Sequence, residues 1–435
     1  MYDIAAFDGG RSNTMTDAKK VDPSRPDPDN KADPSPNRIL PLRHLRVLDI
    51  SQVMAGPFCG MLLGDMGADV IKIEPPGSGD QTRRAMGFKL KGSDSLGFIN
   101  MNRNKRSMVL NLKTEAGREV FYQLVGTADV LLENYRPGVT ARLGIDYETL
   151  KAINPRLIYA SISGFGQTGP WSQRPGFDLI AQAMGGIMSI TGDPDGPPAK
   201  SGVPVADIGC ALLALYAILS AYIGRLETGE GQYIDASLFE AAIAFAVWDI
   251  SEFWGTGKVP QKLGTANRMS APYQAVRASD GYFVMGANNN KLWRSLCELI
   301  NRPDLLGDSR FASIADRLAN RIALIEELEK TLITRPAEHW VEQMLAAGIP
   351  AGPIYDYAQA LDNDHARHRN IIMEIDHPVE GKVRSIGFPV KLSGTPQQLR
   401  MPPPLLGAHT EEILTELGVG PDAMKKLRTS GAFAP

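Results

Sequence analysis

One carboxylate, Asp178, ends a loop rich in glycine and proline and opens an apolar, helix-like run, Pro175-Gly176-Phe177-Asp178-Leu179-Ile180-Ala181-Gln182-Ala183. A carboxylate at a helix start can cap orphan backbone N–H groups and complement the positive end of the helix dipole. It can also act as a nucleophile or a base. The six histidines leave a gap between His44 and His339, so the central region has no imidazole of its own for Ser-His or Cys-His chemistry. Covalent chemistry there falls to a carboxylate, hydroxyl, thiol or amine. A second carboxylate, Asp207, lies in Val205-Ala206-Asp207-Ile208-Gly209 at the start of a long apolar run. Two carboxylates can form an acid/base pair, but this position reads first as a helix cap or a supporting partner.

Three further clusters carry chemical potential. Gly164-Phe165-Gly166-Gln167-Thr168-Gly169 fits the dinucleotide pattern G-x-G-x-x-G after an expected strand. Its last glycine should open a helix, whereas Pro170 and Pro175 keep the chain irregular, so the loop reads instead as backbone that can approach a ligand closely. Asn102-Arg103-Asn104-Lys105-Arg106-Ser107, followed by Lys113, Arg136 and Arg142, is the densest basic stretch. It is either a solvated face or a phosphate-binding surface. Asn134-Tyr135-Arg136-Pro137-Gly138 ends an expected strand, where a tyrosine can stack on a purine. Cys59, Cys210 and Cys297 lie far apart in apolar surroundings and read as buried reduced thiols in a cytoplasmic protein. His365, His368 and His377 lack a tight ligand spacing, so no metal site is expected.

The elements that must position these residues follow from periodicity. Leu45–Ile50 and Ala68–Ile73 read as strands joined by a helix from Pro57 to Met66, a right-handed βαβ unit. Strands over 129–133 and 157–163, preceded by a helix over 115–125, extend the alternation and predict a parallel sheet. Helices over 178–187, 205–226 and 239–254 and a strand over 232–237 complete a large domain. From about 258 the texture changes, with Pro272-Tyr273-Gln274, then Gly281-Tyr282-Phe283-Val284-Met285-Gly286, then helices near 292–301, 319–333 and 336–347, a smaller α/β domain. The chain then leads back to the large domain and ends in a helix near 411–417. The resulting division is 39–255 with 375–435 as the large Rossmann-like domain and 256–374 as the small domain and linkers. Residues 1–38, polar and rich in Asp, Lys, Arg and Pro, read as a disordered tail.

At 435 residues and 43% hydrophobic, the chain has ample material for such cores. A net charge of −3 gives no whole-molecule attraction to nucleic acid or to an anionic membrane, so neither is an expected partner. The longest apolar run, Ile208–Ile223, is short for a membrane span and reads as a buried core helix.

In sequence the chain resembles the class III CoA-transferase family from about Leu42 to Gly418. The resemblance rests on ordered motifs: Val53-Met54-Ala55-Gly56-Pro57-Phe58, Gly67-Ala68-Asp69-Val70-Ile71-Lys72-Ile73-Glu74, Asn104-Lys105-Arg106-Ser107, Glu133-Asn134-Tyr135-Arg136-Pro137-Gly138, Gly166-Gln167-Thr168-Gly169-Pro170, Thr228-Gly229-Glu230-Gly231-Gln232 and Pro404-Leu405-Leu406-Gly407-Ala408-His409-Thr410. It implies an interlocked homodimer and an α/β fold whose Rossmann-like large domain, with its parallel sheet, is built from both chain ends around a small domain. It also implies Asp178 as the catalytic aspartate and Asn111, Lys113, Asn134, Tyr135, Arg136, Arg142, Ser163 and Phe165 as CoA-contacting positions. CoA would be present as a thioester substrate, with no tightly bound cofactor and no metal. The racemase branch of the family needs a histidine before that aspartate, and position 177 is Phe. Transfer of CoA between carboxylic acids is therefore expected over proton exchange at an α-carbon. Met54 stands where formyl-CoA transferase has an active-site glutamine, which disfavours formyl and oxalate. The stretch from Gly264 to Ala275 looks closest to the succinyl-CoA:dicarboxylate branch, such as the glutarate enzyme.

Overall fold

Six short runs rich in β-branched and aliphatic residues form one sheet: β1 (Arg46–Asp49), β2 (Asp69–Glu74), β3 (Lys105–Val109), β4 (Val130–Glu133), β5 (Ile158–Ser163) and β6 (Tyr233–Ser237). Every pairing between them is parallel and the spatial order is β3-β2-β1-β4-β5-β6. This is the doubly wound order of a Rossmann-type sheet, which reverses direction between β1 and β4. The computed structural model describes residues 39–85, 91–92 and 94–433. The tail over 1–38 lies outside them.

Side chains alternate between the two faces of this sheet, as the period of two requires. Val47, Val70, Val130, Ile158 and Ile162 pack with Cys59, Leu63, Cys210, Ala214 and Ile218 on one face. Leu48, Ile71, Ile73, Leu131 and Tyr159 pack with Phe121, Leu124, Ile413 and Leu414 on the other. The first face is covered by the Ala55–Asp65 and Val205–Thr228 helices, the second by the Glu115–Thr127 and Thr410–Glu416 helices. A separate core of Phe283, Trp293, Phe311, Leu324, Leu328 and Trp340 lies behind an antiparallel sheet of β7 (Tyr273–Ala278), β8 (Gly281–Gly286) and β9 (Ala351–Pro353). A hairpin of β10 (Ile372–His377) and β11 (Gly381–Ile386) follows.

Several expectations need correction. All six parallel strands come from residues 46–237, so the sheet is not built from both chain ends. The C-terminal part instead latches onto β3: His409 N–H donates to Ser107 O at 2.9 Å, Asn104 N–H to Met401 O at 3.0 Å, and Val109 N–H to Thr410 Oγ1 at 3.0 Å. The span read as a helix over 239–254 is two helices, Leu238–Phe245 and Val247–Thr256, divided at Ala246. The Val205–Thr228 helix, at 24 residues, is long and apolar enough by length and composition to cross a membrane. It is buried on one face only; Leu212, Leu213, Tyr216, Ile223 and Leu226 are exposed.

The largest correction concerns the basic stretch 102–107, read as a solvated face or a phosphate site. It is neither. Its cations are buried and paired within the protein: Lys105 with Asp49 at 2.8 Å, Arg103 with Asp65 at 2.7 Å, and Arg106 with Asp69 at 2.7 Å and with Glu412 and Glu416. Lys105 and Asp49 are both fully buried. Burial opposes charge on Asp49, but Lys105 and Lys72 hold its carboxyl below the usual range. Arg83 joins Glu74 and Asp94 and stacks over the Phe98 ring, its guanidinium carbon 3.7 Å from the ring centroid. Removing one partner of such a pair leaves an uncompensated buried charge. Lys105→Met should therefore destabilise the fold by about 3–5 kcal/mol, and Lys105→Met with Asp49→Leu should recover much of that, as read by denaturant unfolding.

Candidate active site

The ends of β1, β4 and β5 open where the sheet order reverses, the place where ligands bind in doubly wound folds. A cavity of about 470 Å³ lies there, a size suited to part of a small-molecule ligand. Gln52, Val53, Met54 and Ala55 line it from the β1 end, Asn134, Tyr135, Arg136 and Pro137 from the β4 end, and Ser163 and Gly164 from the β5 end. Ser172, Arg174, Gly176, Phe177, Asp207 and Leu238 close the other side.

Each strand end is fixed by a side chain. The Asn134 amide clamps the two halves of the switch, accepting from Gln52 N–H at 2.8 Å and donating to Gln52 O at 2.7 Å. Its polar atoms thus bind the neighbouring turn. Glu133 is buried, accepts from Tyr135 N–H at 2.7 Å and meets the Ser161 hydroxyl. Burial raises its carboxyl to about 7. The glycine loop after β5 crosses the segment before Asp178 at close range. A Cβ on Gly164 would lie 2.8 Å from the Cα of Gly176, so glycine is needed for the crossing and no helix begins in the loop. Phe165 packs in an aromatic group with Trp171 and Phe239, and Arg174 lies over Trp171.

The two aspartates have different surroundings. Asp178 Oδ1 accepts from Ala206 N–H at 2.9 Å and Asp207 N–H at 3.3 Å, and Oδ2 accepts from Gln182 Nε2 at 2.6 Å. It caps the first turn of the Val205–Thr228 helix from a distance in sequence, and it does not line the cavity. Asp207 does line it. Burial, with the Asp178 charge adding to it, raises the Asp207 carboxyl to about 6. A partly desolvated carboxylate that is still ionised at neutral pH is a competent nucleophile. Among the described residues that line the cavity there is no histidine.

Of the positions named from the sequence, Asn134, Tyr135, Arg136 and Ser163 share the cavity. Asn111, Lys113, Arg142, Phe165 and Asp178 do not line it. The Asn111 N–H and side-chain amide donate to Ala432 O and Gly431 O at 2.7 and 3.3 Å, and Arg142 ends the short Val139–Leu143 helix. Arg268 is paired with Asp249 at 2.9 Å and Glu252 at 3.2 Å. Asn289 caps the Asn290–Leu299 helix. The sequence reading missed Gln52, Val53 and Arg174. The i,i+4 spacing of Asp178 and Gln182 is the local signal that fits the bond between them. Among the described residues no group of three His, Cys, Asp or Glu stands ready to hold a metal ion.

The profile of the family described as CoA-transferase family III matches residues 42–410. The chain belongs to that family. It is 38% identical over 394 residues to the succinyl-CoA:glutarate CoA-transferase of Mus musculus, covering 90% of each chain. It is 44% identical over 355 residues to the acetyl-CoA:oxalate CoA-transferase of Acetobacter aceti, covering 81% of this chain and 90% of that one. Among solved structures, a CAIB/BAIF family protein from Brucella suis superposes with a TM-score of 0.77 at 38% identity, over 87% of this chain and 99% of that one. The family III chain is accordingly an enzyme of the transferase class, and a CoA thioester with a carboxylic acid fits its family as substrates. If Asp207 must be ionised for activity, kcat/KM should fall as pH drops through about 6, because protonation removes its charge. Asp178→Asn removes the neighbouring negative charge that helps hold the Asp207 carboxyl up, so a kcat/KM pH profile should show this limb moving to lower pH.

Proposed function

We propose that the enzyme transfers CoA from an acyl-CoA, with succinyl-CoA as donor, to a dicarboxylic acid through an aspartyl anhydride and an aspartyl-CoA thioester. The motif resemblance points to Asp178 as the attacking carboxylate. We favour Asp207, because it is among the residues that line the cavity while the carboxylate of Asp178 is held by three donors. In this reading Asp207 attacks the thioester carbonyl and CoA leaves as the thiolate, giving a mixed anhydride. The thiolate returns to the aspartyl carbonyl, the donor acid departs, and an aspartyl-CoA thioester remains. The acceptor carboxylate attacks that thioester to form a second anhydride and release thiolate, which then attacks the acceptor's carbonyl and frees Asp207. Acyl activation is conserved throughout, so no nucleotide hydrolysis is required.

Arg136 and Arg174 at the cavity, with Lys113 and Arg142 outside it, are the groups we assign to the phosphates and carboxylates of the substrates. The glutarate relative supports a dicarboxylate acceptor, and the oxalate relative keeps oxalate in the set of acids to be tried, against the expectation drawn from Met54. Leu212, Leu213 and Tyr216 on the Val205–Thr228 helix and Phe245, Val247, Trp248, Phe253 and Trp254 on the two helices after β6 are exposed, and large apolar side chains left exposed together mark interaction surfaces. We assign them to a second copy of the chain in a homodimer. We retain 39–255 with 375–435 as the large domain and 256–374 as the small one, and, with Cys59, Cys210 and Cys297 buried and reduced, a cytoplasmic location.

Transfer from succinyl-CoA to a panel of glutarate, oxalate and monocarboxylates tests the reading. Asp207→Asn should lower kcat on the order of 10⁴-fold, as loss of a nucleophile does, while Asp178→Asn, whose amide oxygen can still cap, stays within about tenfold. The reverse ranking would return the nucleophile to Asp178. Separately, Trp248→Glu with Trp254→Glu should shift the chain from dimer to monomer in sedimentation, and an unchanged mass would contradict the assigned interface.

A further inference from the structure

The turn between β1 and the Ala55–Asp65 helix contains a backbone conformation that its sequence does not favour. Val53 has φ 71°, in the left-handed region, where a β-branched side chain crowds its own backbone. The other non-glycine residues with positive φ among those described are Asn104, Asn301 and Asn370, a type that tolerates it. A conformation of this kind persists only where surrounding contacts over-determine it, and such residues gather at ligand sites.

The contacts that hold it are present. Asp80 Oδ1 accepts from Val53 N–H at 3.2 Å and is itself fixed by Thr82 N–H and Oγ1 at 2.9 and 2.8 Å. Asp80 pairs with Lys72 at 2.9 Å, and both side chains are fully buried. Lys72 Nζ also donates to Ser51 O at 2.9 Å, and Asn134 holds both polar backbone groups of Gln52. Three consecutive residues of the turn are therefore held by side chains from other elements. Gln52, Val53, Met54 and Ala55 are the part of the turn that lines the cavity.

We propose that Asp80, backed by Lys72, is a positioning residue: its bond to the Val53 N–H holds the β1 turn in a strained left-handed form that shapes the cavity wall for CoA transfer. Neither side chain of the pair lines the cavity. The inference rests on the transfer reading for its activity measurement only.

Glycine adopts the left-handed form without strain, so the need for Asp80 should depend on what stands at position 53. Lys72→Met with Asp80→Leu removes the acceptor and both charges together, so neither is left unpaired in the interior. With Val53 in place, this pair of changes should lower kcat/KM for succinyl-CoA and glutarate by about tenfold or more, the factor for one lost polar contact. In the Val53→Gly background the same changes should cost no more than about threefold, a coupling that a merely structural pair would not show. Equal losses in the two backgrounds, or no loss in the first, would overturn the proposal. Should the Lys72/Asp80 variant fail to fold, Val53→Gly alone decides: its Tm should rise as strain is relieved, and a Tm that is unchanged or lower would overturn it. If the unmodified enzyme transfers no CoA, the functional reading fails while the Tm comparison still judges the strain.

Discussion

The site depends on one interaction above the others, the capping of the Val205–Thr228 helix by Asp178. The carboxylate comes from the start of a different helix and takes the N–H groups of Ala206 and Asp207, while Gln182 holds its second oxygen. Two consequences follow. The first turn of the long helix is fixed against the Asp178–Met184 helix, and that turn carries Asp207, one of the residues that line the cavity. The capping charge also sits close enough to Asp207 to help burial keep that carboxyl near 6. One carboxylate thus orients and tunes the other.

The surroundings of this pair are rigid for a different reason. On the β1-β2-β3 side of the sheet, charges are neutralised in place: Asp49 by Lys105, Asp80 by Lys72, and Glu74 and Asp94 by Arg83. Buried pairs of this kind are weak evidence for stability, since well-packed apolar residues would serve as well or better. Their geometry is what the site uses. Lys72 and Asp80 reach the β1 turn, and Arg103, Asn104, Arg106 and Ser107 bind segments from residue 385 onward, including Glu412 and Glu416. The C-terminal chain is thereby tied to the strand nearest the nucleus of the fold's charge network.

Much of this could be read from the sequence, and the reasons for the failures are instructive. The βαβ alternation and the strand ends at Asn134 and Ser163 followed from periodicity and placed four of the named CoA positions in one cavity. The cluster 102–107 suggests solvent because charge in a sequence normally signals it, whereas here the cations at the start of β3 and just before it meet acids from four separate segments. No local pattern encodes such partners. The bond from Asp178 to a second helix has no local signature for a related reason: both aspartates begin apolar helices, and capping across the fold cannot be told from capping within a helix by spacing alone. Val53 gave no signal, since its strain is imposed by Asp80, which stands 27 residues away in the chain.

The claim that the cavity-lining aspartate carries the chemistry is tested most directly by finding where CoA is attached. Lys200 separates the two candidates, so trypsin leaves Asp207 in the peptide 201–225 and Asp178 in the preceding peptide that ends at Lys200. The enzyme would be mixed with succinyl-CoA without acceptor, quenched in acid, digested and measured by mass spectrometry. The account predicts the mass of CoA less water on peptide 201–225. The same mass on the peptide that ends at Lys200 would contradict it.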